Sequence, residues 1–340
     1  MLYILISLLV ITFVFPIISK TVEENLEPFL FIIGILASIT SGVLNKELFL
    51  NIFKNEFMYI IVLAVLLGGL LFKVLTDHVN AVLTNILKYI PLKFFVYLLI
   101  VVLGLLSSII TAIIASLLLV EIISMLPISR KNKININIIS CFSIGLGAVL
   151  TPIGEPLATI VVSRLDESFW FLFNEFGIYI IPGILILGIF GMIFAKEERI
   201  QEEKEEEIII QETNRTIVIR ALKIFLFIIA LDLLGEGFKP VIDTYIISLD
   251  TRYLYWVNIC SAILDNATLA AAEISVKMSK LQIEAVLMGL LISGGMMIPG
   301  NIPNIISAGK LKIKSSEWIR LGVPLGFFIM IIYFVILFVR

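Results

Sequence analysis

Apolar stretches separated by short polar connections run the length of the chain, at about 2–19, 28–45, 57–75, 94–126, 137–163, 169–195, 216–235, 253–276, 283–309 and 321–339. Runs this long and this pure predict helices that cross a hydrocarbon core of about 30 Å. Two do not fit a single crossing. Residues 94–126 carry Glu121 as their only charge, and as one straight helix they would be about 50 Å long. They must fold back, near the SSIIT stretch at 107–111. The stretch 253–280 has the same form, with its turn in SAILDN at 261–266. Each predicts a re-entrant hairpin or a pair of short spans.

Two further runs are broken at mid-depth. Residues 145–159 read GLGAVLTPIGEPLAT and residues 289–305 read GLLISGGMMIPGNIPNI. Proline removes a donor and clashes with the preceding turn, so Pro152 with Pro156, and Pro299 with Pro303, forbid a continuous helix. Such breaks in corresponding positions of two halves point to a secondary transporter, because they leave backbone dipoles available at membrane depth.

The elements fall into two units of the same order: span, hairpin, broken span, span. Residues 55–195 form the first, with hairpin 94–126 and broken helix 137–163. Residues 214–340 form the second, with hairpin 253–280 and broken helix 283–309. The charged segment 196–213 (KEERIQEEKEEE at its start) joins them as a cytoplasmic linker, and 1–54 contributes two N-terminal helices as scaffold or dimer contact. Placing Arg130, Lys131 and Lys133 in the cytoplasm puts 17 Lys and Arg in inside connections and 8 outside, the bias that positive-inside orientation requires. The two units then enter the membrane in opposite senses. The expected fold is an all-α polytopic membrane protein of two inverted repeats, each with a re-entrant hairpin and a discontinuous transmembrane helix.

Composition sharpens this picture. Of 340 residues, 60% are hydrophobic and 15% charged, with a mean hydropathy of +1.10. The balance places the chain in the lipid bilayer as a multi-pass plasma-membrane protein and gives no basic surface for nucleic acid. Residues 1–19 lack a basic leader and a small-residue cleavage site, and read as a retained span. Cys141 and Cys260 lie in apolar runs and read as buried thiols without chemistry. No HExxH, GxSxG or P-loop sequence occurs, so no enzymatic activity is expected. His78, the only histidine, lies in a polar connection.

The candidate chemistry is carried by a few polar residues in apolar surroundings. Asp265 costs several kcal/mol at membrane depth unless it is paired, protonated or ion-bound. With Asn266, Ser261 and Thr268 it offers hard oxygen ligands to a small cation, so Asp265 and Asn266 are the Na⁺ candidates. Laying Ser107 on Ser261 puts Thr111 at the position of Asp265, with Ser107 and Ser108 as further hydroxyls. Glu155, with Thr151 and Gly154, is the second acid. Its counterpart region in the other unit holds Gly300, Asn301 and Asn304. Cation and proton would compete for the carboxylates, since a dry pocket does not hold both charges. Glu121 and Glu273, in the second arms of the hairpins, are read as secondary relay groups or as water-facing helix-end charges.

At these residues the chain resembles the ion transporter superfamily, which includes NhaD-type sodium/proton antiporters. SAILDNATLAAA is similar to that type's DN-containing hairpin, and LTPIGEPLAT to its broken-helix motif. GGMMIPGNIPNIISAGKLKI is similar to a poorly characterised prokaryotic family of cation transporters. The resemblance covers about 55–340. It implies interlocked inverted repeats, a homodimer and an elevator-like shift of the hairpin-containing part. It also implies a monovalent cation and a proton as cargo, with no bound cofactor. One motif departs from the pattern: the first hairpin reads SSIIT, without an acid. The expectation is Na⁺ (or Li⁺)/H⁺ antiport, with sodium-coupled symport of an organic or inorganic anion as the alternative.

Overall fold

The computed structural model describes residues 1–340 except 20, 23–24, 55–57, 60–61, 64–65, 68–69, 71–88, 197–213, 246–248, 264–265, 275–277 and 340. Most of the expected 57–75 span, His78 and nearly all of the linker therefore lie outside the described residues. The rest is helical, with no strand among the described residues.

The N-terminal part holds α1 (Leu2–Ile18), α2 (Leu26–Ser41) and the short α3 (Lys46–Lys54). The first half continues with α4 (Leu92–Ile110), α5 (Ala112–Met125), α6 (Arg130–Ala148), α7 (Pro156–Leu165) and α8 (Phe171–Gly191). The second half holds α9 (Asn214–Tyr245), α10 (Thr251–Val257) with a 3₁₀ turn at Asn258–Ala262, α11 (Asn266–Glu273) and α12 (Lys280–Gly294). A 3₁₀ turn at Ile298–Gly300, α13 (Ile302–Leu311) and α14 (Ser315–Phe338) complete it. Three helices among the described residues are long and apolar enough to cross a membrane: Leu92–Ile110, Phe171–Phe194 and Ser315–Phe338.

The breaks fall where the sequence places them. A single residue, Thr111, separates α4 from α5. Residues 149–155 separate α6 from α7, and 295–301 separate α12 from α13. One boundary differs. The apolar run expected to end at Gly235 continues as helix to Tyr245 through Pro240. A hydropathy pattern registers burial rather than helicity, and the segment after Gly235 keeps its helical backbone while carrying polar side chains, among them Glu236 ion-paired to Lys239 one turn on. Asp232 and Glu236 consequently sit within a helix and line a cleft of about 450 Å³ with Asn45, Glu47 and Asn51.

Helix starts use local polar groups. Asp250 accepts from the Arg252 amide at 3.0 Å. Ser279 and Gln282 form a reciprocal capping box at the start of α12. Packing then joins the two halves. Helices α4, α6 and α8 pack on one another, as do α10, α12 and α14 in part: α12 packs on both its neighbours. Tyr255 Oη donates to the Met330 carbonyl at 2.8 Å, tying α10 to α14. Across the halves, α5 packs on α13 and α7 on α11, while α6 contacts α12, α13 and α14. Helix α2 lies along α9, with Ser38 Oγ donating to the Leu233 carbonyl at 2.9 Å. The polar breaks are thus enclosed by apolar helices, and buried aliphatic side chains form one continuous core around them.

Candidate functional site

In the first half, the tip between α4 and α5 is stitched to the break between α6 and α7. Thr111 adopts φ 75° and ψ 150°, a region that a β-branched residue occupies only under strain of about 1–3 kcal/mol. The following amide, Ala112 N, donates to the Gly154 carbonyl at 2.9 Å. Thr151 Oγ1 donates to the Ser108 carbonyl. Ser107 Oγ donates to the carbonyls of Gly104 at 2.6 Å and Ile144 at 3.0 Å, and Ser108 Oγ to Leu105 at 2.8 Å. Ser107, Ser108, Thr151, Gly154 and Glu155 are all buried. The donor hydrogens of Ser107, Ser108 and Thr151 are occupied, while a hydroxyl keeps lone pairs that can still face a cation.

The second half repeats the serine contact. Ser261 Oγ donates to the Leu290 carbonyl at 3.3 Å, as Ser107 does to Ile144. Gly300 is pressed between the carbonyl oxygens of Gly294 and Ser261: an added Cβ would lie 2.5 Å from both. Gly154 is pressed in the same way against the Ala148 carbonyl, at 1.9 Å. Gly300 O, Ser261 Oγ and Asn266 Nδ2 converge over Gly294, at 2.9, 3.6 and 3.7 Å from a Cβ built there. Ser261 and Asn266 are buried. Thr268 lies on α11 with its side chain outside the description, and Asp265 lies outside the described residues.

The second break meets α6, the first half of the other broken helix, at Asn301. Its buried amide rests on Gly145, where an added Cβ would stand 2.6 Å from Nδ2. Phe142 of α6 packs on Gly295 in the same crossing.

Two expectations change. Unpaired backbone dipoles are expected at the breaks, yet the second break is extensively satisfied. Asn304 Nδ2 donates to the carbonyls of Gly294 and Met297, both at 2.8 Å, and Trp318 Nε1 to Gly295 at 3.1 Å. A carbonyl left bare away from water costs free energy comparable to a lost hydrogen bond. Asn304 therefore holds the break closed through its NH₂, and only its Oδ1 is without a hydrogen-bond partner among the described residues. Glu121 and Glu273 do not face water: their relative exposures are 6% and 4%. Glu121 pairs with Lys310 of α13 across the α5–α13 contact. Both cysteines are free thiols, as the sequence implies. Cys141 Sγ lies 3.3 Å from Ser307 Oγ, and Asn137 Nδ2 donates to the same hydroxyl at 3.0 Å.

Asn258, fully buried in the 3₁₀ turn, does not stand out in the sequence. Its only signal is a lone amide in the apolar string YWVNIC. Residues 2–340 match the family model described as "Protein of unknown function (DUF1646)". No curated protein matches the chain.

Proposed function

We propose a transport function for this chain, which belongs to the DUF1646 family: a secondary active cation transporter of the plasma membrane that exchanges Na⁺ or Li⁺ for H⁺. One observation carries the reading. In each half a serine of the tip donates its hydroxyl to a carbonyl of the broken helix, and a glycine of the break abuts the tip backbone: Gly154 O accepts from Ala112 N, and Gly300 lies against the Ser261 carbonyl. A structural helical bundle has no need to bury non-helical backbone twice in this way, whereas a site that sheds and rebinds a cation does.

The interlocking of the halves supports two inverted repeats, since α5 on α13 and α7 on α11 exchange the second hairpin arm of one unit for the second half-helix of the other. Ion pairs support the topology. Arg130 pairs with Glu317, joining two connections assigned to the cytoplasm. Lys280 pairs with Glu175, joining the start of α12 to the start of α8, ends that this orientation puts outside. Within this reading Asp265 is the principal carrier, with Asn266, Thr268, the Ser261 hydroxyl and the Gly300 carbonyl as further oxygens. Ser107, Ser108, Thr111, Thr151, Gly154 and Glu155 form the corresponding surface of the other half, and Asn301 joins the two. A cation at the carboxylates leaves no room for a proton there, because a dry site does not stabilise both charges. The transporter works as a homodimer, with 1–54 as scaffold.

The test is proton movement in acid-loaded inverted vesicles on addition of Na⁺, Li⁺, K⁺ or Ca²⁺, with Asp265→Asn beside wild type. Cation-triggered proton efflux that the variant lacks is expected. No pH response to any cation from folded protein would sink antiport and leave sodium-coupled anion symport, to be followed by labelled-anion uptake.

A further inference from the structure

Inside the second half, away from the ring of residues assigned above, four polar atoms lie buried with no hydrogen bond among the described residues. They are the two carboxylate oxygens of Glu273 and the Oδ1 and Nδ2 of Asn258. Glu273, the last residue of α11, is 4% exposed and Asn258 is fully buried. Asn258 is the polar side chain set against the Glu273 carboxyl group. The backbone of Asn258 is held in place. Its carbonyl accepts from Ser293 Oγ at 2.6 Å, and its Cβ rests on Gly289, 3.0 Å from where a methyl group there would sit.

Buried polar groups of native proteins find partners, and a lone carboxylate in an apolar interior is strongly disfavoured. Counting donors and acceptors distinguishes the ways of meeting that demand. An ionised Glu273 is an acceptor only. It can take one N–H from Asn258, which leaves Oδ1 and one carboxylate oxygen bare. A bound Na⁺ would serve both carboxylate oxygens and Oδ1, but would leave Nδ2 unpaired. A protonated Glu273 satisfies all four atoms: its O–H donates to Asn258 Oδ1, and Asn258 Nδ2–H donates to the remaining carboxyl oxygen, closing a planar acid–amide ring.

We infer that Glu273 and Asn258 form a proton-binding site, a carboxylic acid hydrogen-bonded face to face with a carboxamide. Loading takes one proton from water onto a carboxylate oxygen. Release returns that proton to water and breaks the O–H···Oδ1 bond, while the Nδ2–H···O bond persists to the carboxylate. Cys260 is the titratable side chain set against Glu273 from the 3₁₀ turn. The other helices packed on α11 carry Arg164 (α7), Asp232 and Glu236 (α9) and Glu284 (α12), and the variants leave all of these in place. As the proton half of the exchange, the site rests on the antiport reading. As a protonated pair it does not.

Infrared difference spectra of the full-length protein in lipid nanodiscs at neutral pH test it. A carboxylic-acid C=O stretching band is expected in wild type and in Asp265→Asn. It should disappear in Glu273→Gln, which is isosteric and can keep a ring of two amides, and shift in Asn258→Ala as the carbonyl loses its donor. No such band in folded wild type, or a band that survives Glu273→Gln, overturns the inference. Should the band behave as expected while no cation moves protons in vesicles, antiport fails and the protonated pair stands. If the band is lost in Glu273→Gln but its pH-dependent exchange matches wild type, the pair is not the coupling proton.

Discussion

At Gly154 an added methyl group would sit 1.9 Å from the Ala148 carbonyl oxygen, and at Gly300 it would sit 2.5 Å from those of Gly294 and Ser261. Every one of these is a backbone atom, so the clash cannot be relieved by turning a side chain. Overpacking of this kind costs about 1–3 kcal/mol, and at Gly300 it would also press the break away from the Ser261 carbonyl of the tip. Gly309 gives the contrast. It lies exposed on α13 with nothing within 4 Å of an added Cβ, and alanine there removes backbone entropy worth about 0.5–1 kcal/mol. Thermal unfolding should therefore move in opposite directions, upward for Gly309→Ala and downward for Gly154→Ala and Gly300→Ala. Equal melting temperatures for all three would mean that the breaks are not closely packed.

Between elements, the Lys310–Glu121 pair brings α13 against α5 with side-chain exposures of only 9% and 8%. Removing one partner of a buried pair leaves an uncompensated charge and costs about 3–5 kcal/mol, whereas replacing both with apolar groups of similar size is often neutral. Lys310→Met should lower the melting temperature sharply, and adding Glu121→Met should recover most of the loss. A double variant no better than the single one would show that the two do not act as a pair. The pair also shows where reading the chain runs out. Pro152, Pro156, Pro299 and Pro303 announce the breaks because proline acts within its own turn, and the over-long run 94–126 announces its interruption, at Thr111, through length alone. Lys310 and Glu121 are far apart in sequence, and even Asn304 reaches the Gly294 carbonyl only across the irregular break. Which polar group meets which is decided by packing, a property no local pattern carries. The same holds for Asn258 and Glu273. The helical continuation to Tyr245 escapes the hydropathy pattern for a different reason: its polar face borders a cleft.

At the scale of the whole molecule, the two inter-connection ion pairs turn orientation into a measurable quantity. Arg130 and Glu317 join the start of α6 to the start of α14, and Arg130 Nη2 also donates to the Lys312 carbonyl at 3.1 Å. Lys280 and Glu175 join the start of α12 to the start of α8. Helices α6 and α12 are the first halves of the two broken helices. If they begin at opposite membrane faces, the repeats are inverted; if they begin at one face, the repeats are parallel and the charge asymmetry of the connections has another origin. Lys314 and Glu167 are exposed beside these two clusters. With Cys141 and Cys260 replaced by serine, Glu167→Cys should react with a membrane-impermeant maleimide in intact cells. Lys314→Cys should react only in inverted vesicles. Both positions are exposed and outside the ion pairs, so neither substitution endangers the fold. Labelling of both positions from one side would remove the inverted repeat, and with it the geometric basis for a site opened alternately to either face of the membrane.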